Sequence, residues 1–272
     1  MKTAASITIQ YDNPFSPFSA SDWKQGFQWA KAGGLDGVEL ILSDPKLLDV
    51  NEILEELQKN SLSVATIATG QATALEGFSL TSPKEWEREL AYRRCCEDID
   101  FSLALGTKPN VTIGLIRGRG VAGNSKNERA HLLRELSRVT DYAEAHGVSL
   151  NLEPINRYEV CLLNSVEDTA AFLDELGNPK NVGILYDTFH VNIEDGPQAE
   201  TIKKFAKKII HVHFADSNRR LPGEGHINFP EIRSSLISIG YEGWVSLEML
   251  SIPSRAHVQS NMASSMAAIF NK

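Results

Sequence analysis

The sequence contains few cysteines and no long apolar run. These two features exclude some classes of protein. Three cysteines occur among 272 residues, as the adjacent pair Cys95 and Cys96 and the isolated Cys161. An odd number without a regular spacing argues against a disulfide scaffold and for a reduced, cytoplasmic protein. No apolar run approaches the roughly 20 residues that span a bilayer, and the first residues lack the apolar core of a signal peptide. We therefore expect no membrane partner.

Positive charge is also scarce. Lys and Arg number 27 against 35 Asp and Glu, so the formal net charge is −8. A nucleic-acid partner normally requires a basic face, and we expect none here. The composition, 42% hydrophobic and 23% charged, is that of an ordinary globular protein.

No linker or low-complexity segment divides the chain, which instead alternates between strand and helix patterns. Eight predicted strands cover residues 6–10, 37–41, 62–68, 111–115, 149–153, 182–187, 209–214 and 244–248. Eight predicted helices cover residues 21–32, 51–59, 83–105, 128–146, 165–176, 197–207, 230–239 and 255–270. This alternation predicts an α/β fold, a (β/α)8 barrel forming a single domain over residues 1–272. A doubly wound open sheet is the alternative, weakened because no Gly-rich loop follows the first strand.

Each of the last four predicted strands carries, at or near its carboxyl end, a side chain of a type that commonly binds metals. These side chains are Glu153, Asp187, His213 and Glu248. In a barrel the carboxyl ends of all strands meet at one face, where active sites lie. Three carboxylates and one imidazole suit Mn²⁺, Mg²⁺ or Co²⁺ better than Zn²⁺. Each residue alone could cap a strand, but three converging carboxylates would repel one another without a cation or protons.

Three segments carry a resemblance to a known family. Residues 153–159 (EPINRYE), 187–194 (DTFHVNIE) and 211–219 (HVHFADSNR) resemble signatures of the ketose 3-epimerases, the D-tagatose/D-psicose 3-epimerase-like members of the xylose-isomerase-like TIM-barrel superfamily. Residues 69–72 (TGQA), 79–83 (SLTSP) and 114–119 (GLIRGR) extend the likeness, in particular to the 5-keto-L-gluconate epimerase branch. The resemblance covers essentially the whole chain.

The resemblance implies a sugar epimerase that inverts the carbon next to the carbonyl of a ketose or keto-uronate through a cis-enediolate. It implies that Glu153, Asp187, His213 and Glu248 bind a divalent ion, with Mn²⁺ favoured over Mg²⁺ and Co²⁺. By the same resemblance, Glu153 and Glu248 exchange protons with the substrate, while His190 and Arg219 donate hydrogen bonds to its carbonyl oxygen. Barrels of this family often pair, so a homo-oligomer, a dimer or tetramer, is expected.

Other residues have less support as substrate contacts. Gln71, after the third strand, is a candidate to touch a sugar hydroxyl. Arg117 or Arg119, after the fourth, could hold a substrate carboxylate or form a solvated basic loop. Glu159 is a candidate to contact substrate or to orient a histidine. His211 shares a face with His213 one layer deeper, and we expect it to pack there.

Several functions remain open at this level. An aldose–ketose isomerase, an inosose dehydratase or a C-glycoside lyase would use the same ion and enediolate. A DNA-repair endonuclease would require a histidine-rich, three-metal cluster and a basic face, and neither is visible in the sequence. A sugar-binding protein without activity would not need two carboxylates placed for proton transfer.

Overall fold

The computed structural model describes residues 1–123 and 125–270, and within them eight strands form a closed parallel barrel. The predicted domain of residues 1–272 also includes Asn124, Asn271 and Lys272, which lie outside the described residues. The strands are β1 (Lys2–Thr8), β2 (Gly37–Ile41), β3 (Ser63–Ala68), β4 (Asn110–Ile113), β5 (Leu150–Leu152), β6 (Val182–Asp187), β7 (Ile209–Phe214) and β8 (Trp244–Leu247).

Ten α-helices are described with these strands. They are α1 (Trp23–Ala32), α2 (Val50–Asn60), α3 (Gly70–Glu76), α4 (Glu85–Ala104), α5 (Ser125–His146), α6 (Val166–Glu175), α7 (Thr188–Glu194), α8 (Gln198–Lys204), α9 (Phe229–Ser238) and α10 (Arg255–Phe270). None of these described helices is long and apolar enough to cross a membrane.

The barrel closes in chain order. Each strand pairs in parallel with the next, and β1 pairs with β8 through partners such as Thr3 and Val245. In the neighbouring pairs, Asp187 of β6 is in register with His213 of β7, and His213 with Ser246 of β8. Because every strand runs the same way, all carboxyl ends lie at one face of the barrel. The predicted (β/α)8 fold is confirmed.

Several predicted boundaries were wrong at strand ends. The first strand is Lys2–Thr8 and not residues 6–10, and the fourth ends at Ile113 because Leu115–Arg117 form a 3₁₀ turn. Two short helices, α3 and α7, begin directly after β3 and β6 and were missed. The first turn of α7 is stabilised by Asp187, whose Oδ1 accepts from the backbone N–H of Phe189 at 2.7 Å. One residue thus ends a strand and caps a helix.

The interior of the barrel is partly polar. Thr66, Thr112 and Asn151 are buried on β3, β4 and β5. Thr66 Oγ1 lies 2.9 Å from Thr112 Oγ1, and Asn151 Nδ2 donates to Thr66 Oγ1 at 3.0 Å. Mutual hydrogen bonds offset the cost of burying these groups. The strands therefore present a polar interior to the site at their carboxyl ends, while apolar residues on their outer faces pack against the helices.

Candidate active site

The four predicted metal ligands converge at the carboxyl face of the barrel. Glu153 follows β5, Asp187 ends β6, His213 lies in β7 and Glu248 follows β8. One ligand atom from each lies within 4.8 Å of the others. Asp187 and His213 are buried at 0% and 1% exposure, and Glu153 at 6%. Three acids and one imidazole that are far apart in sequence thus share one small volume.

The arrangement fits a divalent cation. His213 Nδ1 is buried and makes no hydrogen bond to any described residue, yet it lies 3.5 Å from a Glu248 oxygen and 3.8 Å from oxygens of Glu153 and Asp187. Asp187 Oδ2 likewise accepts no hydrogen bond from the part of the chain that the structure describes, although its ion pair with Arg219 Nη1, at 3.1 Å, offsets part of its charge. Buried lone pairs without donors cost free energy. A cation that prefers oxygen and imidazole ligands would satisfy them together.

The site gives its carboxylates different proton affinities. Burial, followed by the nearby charge of Glu248, raises the pKa of Glu153 well above its usual value. Burial also acts to raise the pKa of Asp187, but the positive charge of Arg219, whose Nη1 lies 3.1 Å from Asp187 Oδ2, is the largest opposing effect, and that pKa is lowered. Neighbouring titratable groups with separated pKa values are typical of acid–base sites. Glu153 is therefore suited to hold a proton and Asp187 to stay ionised.

His190, the third residue of α7, is held in one tautomer by Asn156. Asn156 Oδ1 accepts from the backbone N–H of Tyr158 at 3.0 Å, and Nδ2 donates to Glu159 Oε1 at 2.8 Å. The same Nδ2 lies 2.8 Å from His190 Nδ1, so Nδ1 acts as the acceptor. Burial, with the charge of Arg219, lowers the pKa of His190 to about 3 against the opposing effect of Asp187. His190 is consequently a neutral donor through Nε2.

Arg219 lies beside that donor. Its guanidinium group is stacked between Phe15 and Phe189, with ring centroids at 5.1 Å and 4.6 Å. Nη1 lies 3.2 Å from His190 Nε2, and Nη2 donates to a carboxylate oxygen of Glu248. Aromatic faces on both sides restrict the guanidinium group. His190, from α7, and Arg219, from the loop after β7, therefore lie side by side next to the acidic cluster.

A cavity of about 240 Å³ opens onto this cluster. Glu153 and Glu248 both line it, whereas Asp187 and His213 do not. Gln71 also lines the cavity; its Nε2 donates to the Tyr11 carbonyl at 2.9 Å, and its Oε1 has no hydrogen-bond partner among the residues described. A small molecule in this cavity would meet the two carboxylates and a free amide oxygen.

The two arginines after β4 lie in different environments. Arg119 lines the cavity, is exposed, and donates to the Glu159 carbonyl at 3.3 Å. Within the described part of the chain it has no carboxylate at ion-pair distance. Arg117, predicted as a substrate contact, is instead fully buried; it donates to the Leu163 carbonyl at 3.3 Å and does not line the cavity. The 3₁₀ turn after Ile113 explains this difference, because it directs the two side chains apart.

Gly114 leaves space for one of the carboxylates. A Cβ atom at this position would lie 2.6 Å from Glu153 Oε2, closer than the two atoms can approach. A larger residue would therefore displace the Glu153 carboxylate. This contact gives a physical reason for glycine at the start of the segment GLIRGR.

Glu39 is a site residue that the sequence analysis missed. It is fully buried in β2, and its Oε2 lies 3.0 Å from Nε2 of His213. The sequence feature that could have identified Glu39 is that it is the one carboxylate in the otherwise apolar strand GVELI. His211 packs one layer below His213, as expected, with Nε2 3.1 Å from Ser246 Oγ. Asn156 is a second residue that was missed. It lies between His190 and Glu159, so Glu159 is on the far side of His190 from the metal-ligand cluster.

Comparison with known proteins shows the family. Residues 27–268 match the family model described as the xylose isomerase-like TIM barrel. An L-ribulose 3-epimerase from Mesorhizobium japonicum is 30% identical over 226 residues, which cover 81% of this chain and 73% of that protein. A 3-dehydro-D-guloside 4-epimerase from Escherichia coli is 28% identical over 231 residues, which cover 82% and 85%.

A solved structure shows the same fold at lower identity. The D-psicose 3-epimerase of Clostridium cellulolyticum H10, determined with D-tagatose, superposes with a TM-score of 0.84 over 98% of both chains, at 21% identity. With the barrel topology and the matched family, the solved structure agrees in fold, and the two relatives named above agree in class of enzyme. The chain belongs to the xylose isomerase-like TIM barrel family and is an isomerase, a carbohydrate epimerase of the ketose 3-epimerase-like kind.

Proposed function

We propose that this protein inverts the carbon next to the carbonyl of a ketose or keto-uronate and depends on a divalent ion, with Mn²⁺ favoured over Mg²⁺ and Co²⁺. The observation that carries the proposal is that Glu153 and Glu248 belong to two features of the site at once. Both line the cavity, and both contribute an oxygen to the cluster with Asp187 and His213. Two carboxylates at one cavity are what inversion through proton transfer requires.

One of the two glutamates removes the proton next to the carbonyl, and the other returns a proton to the opposite face of the resulting enediolate. The direction of the reaction decides which does which. Because both carboxylates line the cavity, each can exchange a proton with a sugar bound there. In this proposal His190 Nε2 and Arg219 Nη1, which lie 3.2 Å apart, donate to the substrate oxygen that gains charge.

Glu153, Asp187, His213 and Glu248 would hold the ion. When bound, it supplies electrostatic stabilisation of the negative charge that develops on the substrate oxygens. The buried Nδ1 of His213, which faces three carboxylates and has no hydrogen-bond partner among the described residues, supports this assignment. In the same account, Gln71 contacts a sugar hydroxyl, and Glu159 acts on His190 through Asn156.

Arg119 supports extending the substrates to keto-uronates. Its guanidinium lines the cavity and is free of carboxylate partners among the described residues. Arginine binds carboxylates through paired, charge-assisted hydrogen bonds. A neutral ketose would lack this contact, so Arg119 and not Arg117 is the residue we assign to an acidic sugar.

We also propose that residues 1–272 form one domain and that the protein works in the cytoplasm. The closed barrel and the family match over residues 27–268 support the first proposal. Three free thiols, Cys95, Cys96 and Cys161, support the second, because oxidising compartments favour disulfides.

The test is a panel of ketoses and keto-uronates incubated with the Mn²⁺-loaded protein and followed by ¹³C NMR. We expect at least one substrate to give a product inverted next to its carbonyl. An aldose product would indicate an isomerase that moves the carbonyl, and a dehydrated or cleaved product would indicate a lyase. Either as the sole product would contradict the proposal.

The panel also tests the role of Arg119. The variant Arg119→Gln should raise KM for a keto-uronate about tenfold, the scale of one hydrogen bond to a charged group. Its KM for a neutral ketose should change little. An equal change for both substrates would remove Arg119 from the recognition of the carboxylate.

A further inference from the structure

A buried polar cluster lies beneath the proposed ligands. It joins Glu39 of β2 to His211 and His213 of β7, and each of the three is at most 1% exposed. Glu39 Oε2 lies 3.0 Å from His213 Nε2 and 3.4 Å from His211 Nε2. His211 Nε2 is also 3.1 Å from the hydroxyl of Ser246, which extends the cluster to β8.

The two ring nitrogens of His213 face different groups. Nε2 faces the Glu39 carboxylate, while Nδ1 faces oxygens of Glu153, Asp187 and Glu248 and has no hydrogen-bond partner within residues 1–123 and 125–270. A carboxylate can only accept hydrogen bonds, and neutral imidazole carries a proton on one nitrogen. Nε2 therefore carries a proton, and Nδ1 is the ring nitrogen that faces the acidic cluster and is left to bind an ion there.

We propose that Glu39 is a positioning residue that holds His213 in the Nε2–H tautomer and fixes its ring, so that Nδ1 is ready to bind a divalent ion. This inference rests on the proposed function, because it requires the metal site, but it does not depend on which sugar is converted. Residues that orient a ligating histidine commonly contribute about 10- to 100-fold to metal affinity, and we expect a contribution of this size from Glu39.

The burial of Glu39 supports a role beyond packing. Its strand is buried at all five positions of Gly37–Ile41, and Glu39 Oε1 has no hydrogen-bond partner in the described residues. Burying a carboxylate costs more free energy than an apolar residue of similar size would. The contact with His213 spans 174 positions in sequence, so no local turn or cap requires a carboxylate here.

The first test is calorimetric titration of metal-free protein with Mn²⁺. Glu39→Gln should raise the Kd for Mn²⁺ about 10- to 100-fold, because its amide can also donate to Nε2 and favour the wrong tautomer. Asp98→Asn is the matched control, since Asp98 is another buried acid, at 1% exposure, on the outer helix α4. That control should leave the Kd unchanged, whatever it does to stability in urea.

A second variant separates the hydrogen bond from the charge. Glu39→Asp keeps the negative charge, but its shorter side chain does not reach His213 Nε2, so its Kd should also rise, by about tenfold or more. If Glu39→Asp binds Mn²⁺ as tightly as the wild type, attraction by the charge is sufficient and the positioning role is wrong. Unchanged affinity in Glu39→Gln would contradict it equally. If Glu39→Gln does not fold, the Kd of Glu39→Asp decides.

A spectroscopic measurement reports on the tautomer itself. In ¹⁵N-histidine-labelled protein saturated with Zn²⁺, the His213 Nε2–H proton should be far downfield and protected from exchange, and Glu39→Gln should abolish this signal. A signal retained in the variant would overturn the proposal. Wild-type protein that binds Mn²⁺ but epimerises no sugar would contradict the proposed function while the Kd values still decide the role of Glu39. Wild-type protein that binds no Mn²⁺ would overturn both.

Discussion

Glu153→Gln and Glu248→Gln should each lower turnover at least about 10²-fold, the scale expected when a general acid or base is lost. Both side chains line the cavity, and each has an oxygen in the cluster around His213 Nδ1. Glutamine preserves the shape of the side chain and one carbonyl oxygen, but it cannot take up and release a proton at neutral pH. The loss should therefore fall mainly on kcat.

Metal content must be measured beside the rate, because both glutamates are also proposed ligands. Elemental analysis of each variant gives the ions per chain, and steady-state kinetics give kcat and KM. Glu194→Gln is a suitable control, since Glu194 ends α7 and pairs with Arg157 at 2.6 Å, outside the cavity. It should retain near-normal turnover. A variant of Glu153 or Glu248 that kept both its metal and its rate could not have lost a proton-transfer group.

Removal of the divalent ion should abolish activity. Without a cation, the negative charges of the converging carboxylates are opposed chiefly by Arg219, and the charge that forms on the substrate lacks its main stabilisation. Mn²⁺ or Co²⁺ should restore activity better than Zn²⁺, because three of the four donors are carboxylates and no thiolate is present.

The measurement is dialysis against a chelator, elemental analysis of the dialysed protein, and assay after each ion is added back. The Glu194→Gln variant serves again as a control and should lose and regain activity like the wild type. A preparation that is free of metal by elemental analysis yet fully active would end the metal-dependent account.

The convergence of the four proposed ligands could be predicted from the sequence because the barrel supplies the geometry. Alternating strand and helix patterns indicate parallel strands, and parallel strands in a closed barrel bring their carboxyl ends together. Glu153, Asp187, His213 and Glu248 therefore needed only to be recognised as strand ends. Errors of a few residues in the strand boundaries, as at β1, left this conclusion unaffected.

Residues brought to the site by tertiary packing could not be found in this way. Glu39 reaches His213 across the barrel interior, and a single carboxylate in an apolar strand gives no indication of its partner. Phe15 and Phe189 are far apart in sequence, yet both rings contact the guanidinium of Arg219. Arg117 and Arg119 are two positions apart, and their separation depends on the turn at Leu115–Arg117 and on Gly118, at a φ of 104°.

The most direct test of the central claim is the isotope content of the product formed in D₂O. If Glu153 and Glu248 act from opposite faces, the proton removed and the proton delivered come from different groups. Carboxylates that line an open cavity should exchange their protons with water between turnovers. The inverted carbon of the product should therefore carry deuterium almost completely, and substrate recovered early should carry much less. An inverted product without deuterium at that carbon would contradict the two-carboxylate mechanism, whichever sugar is the substrate.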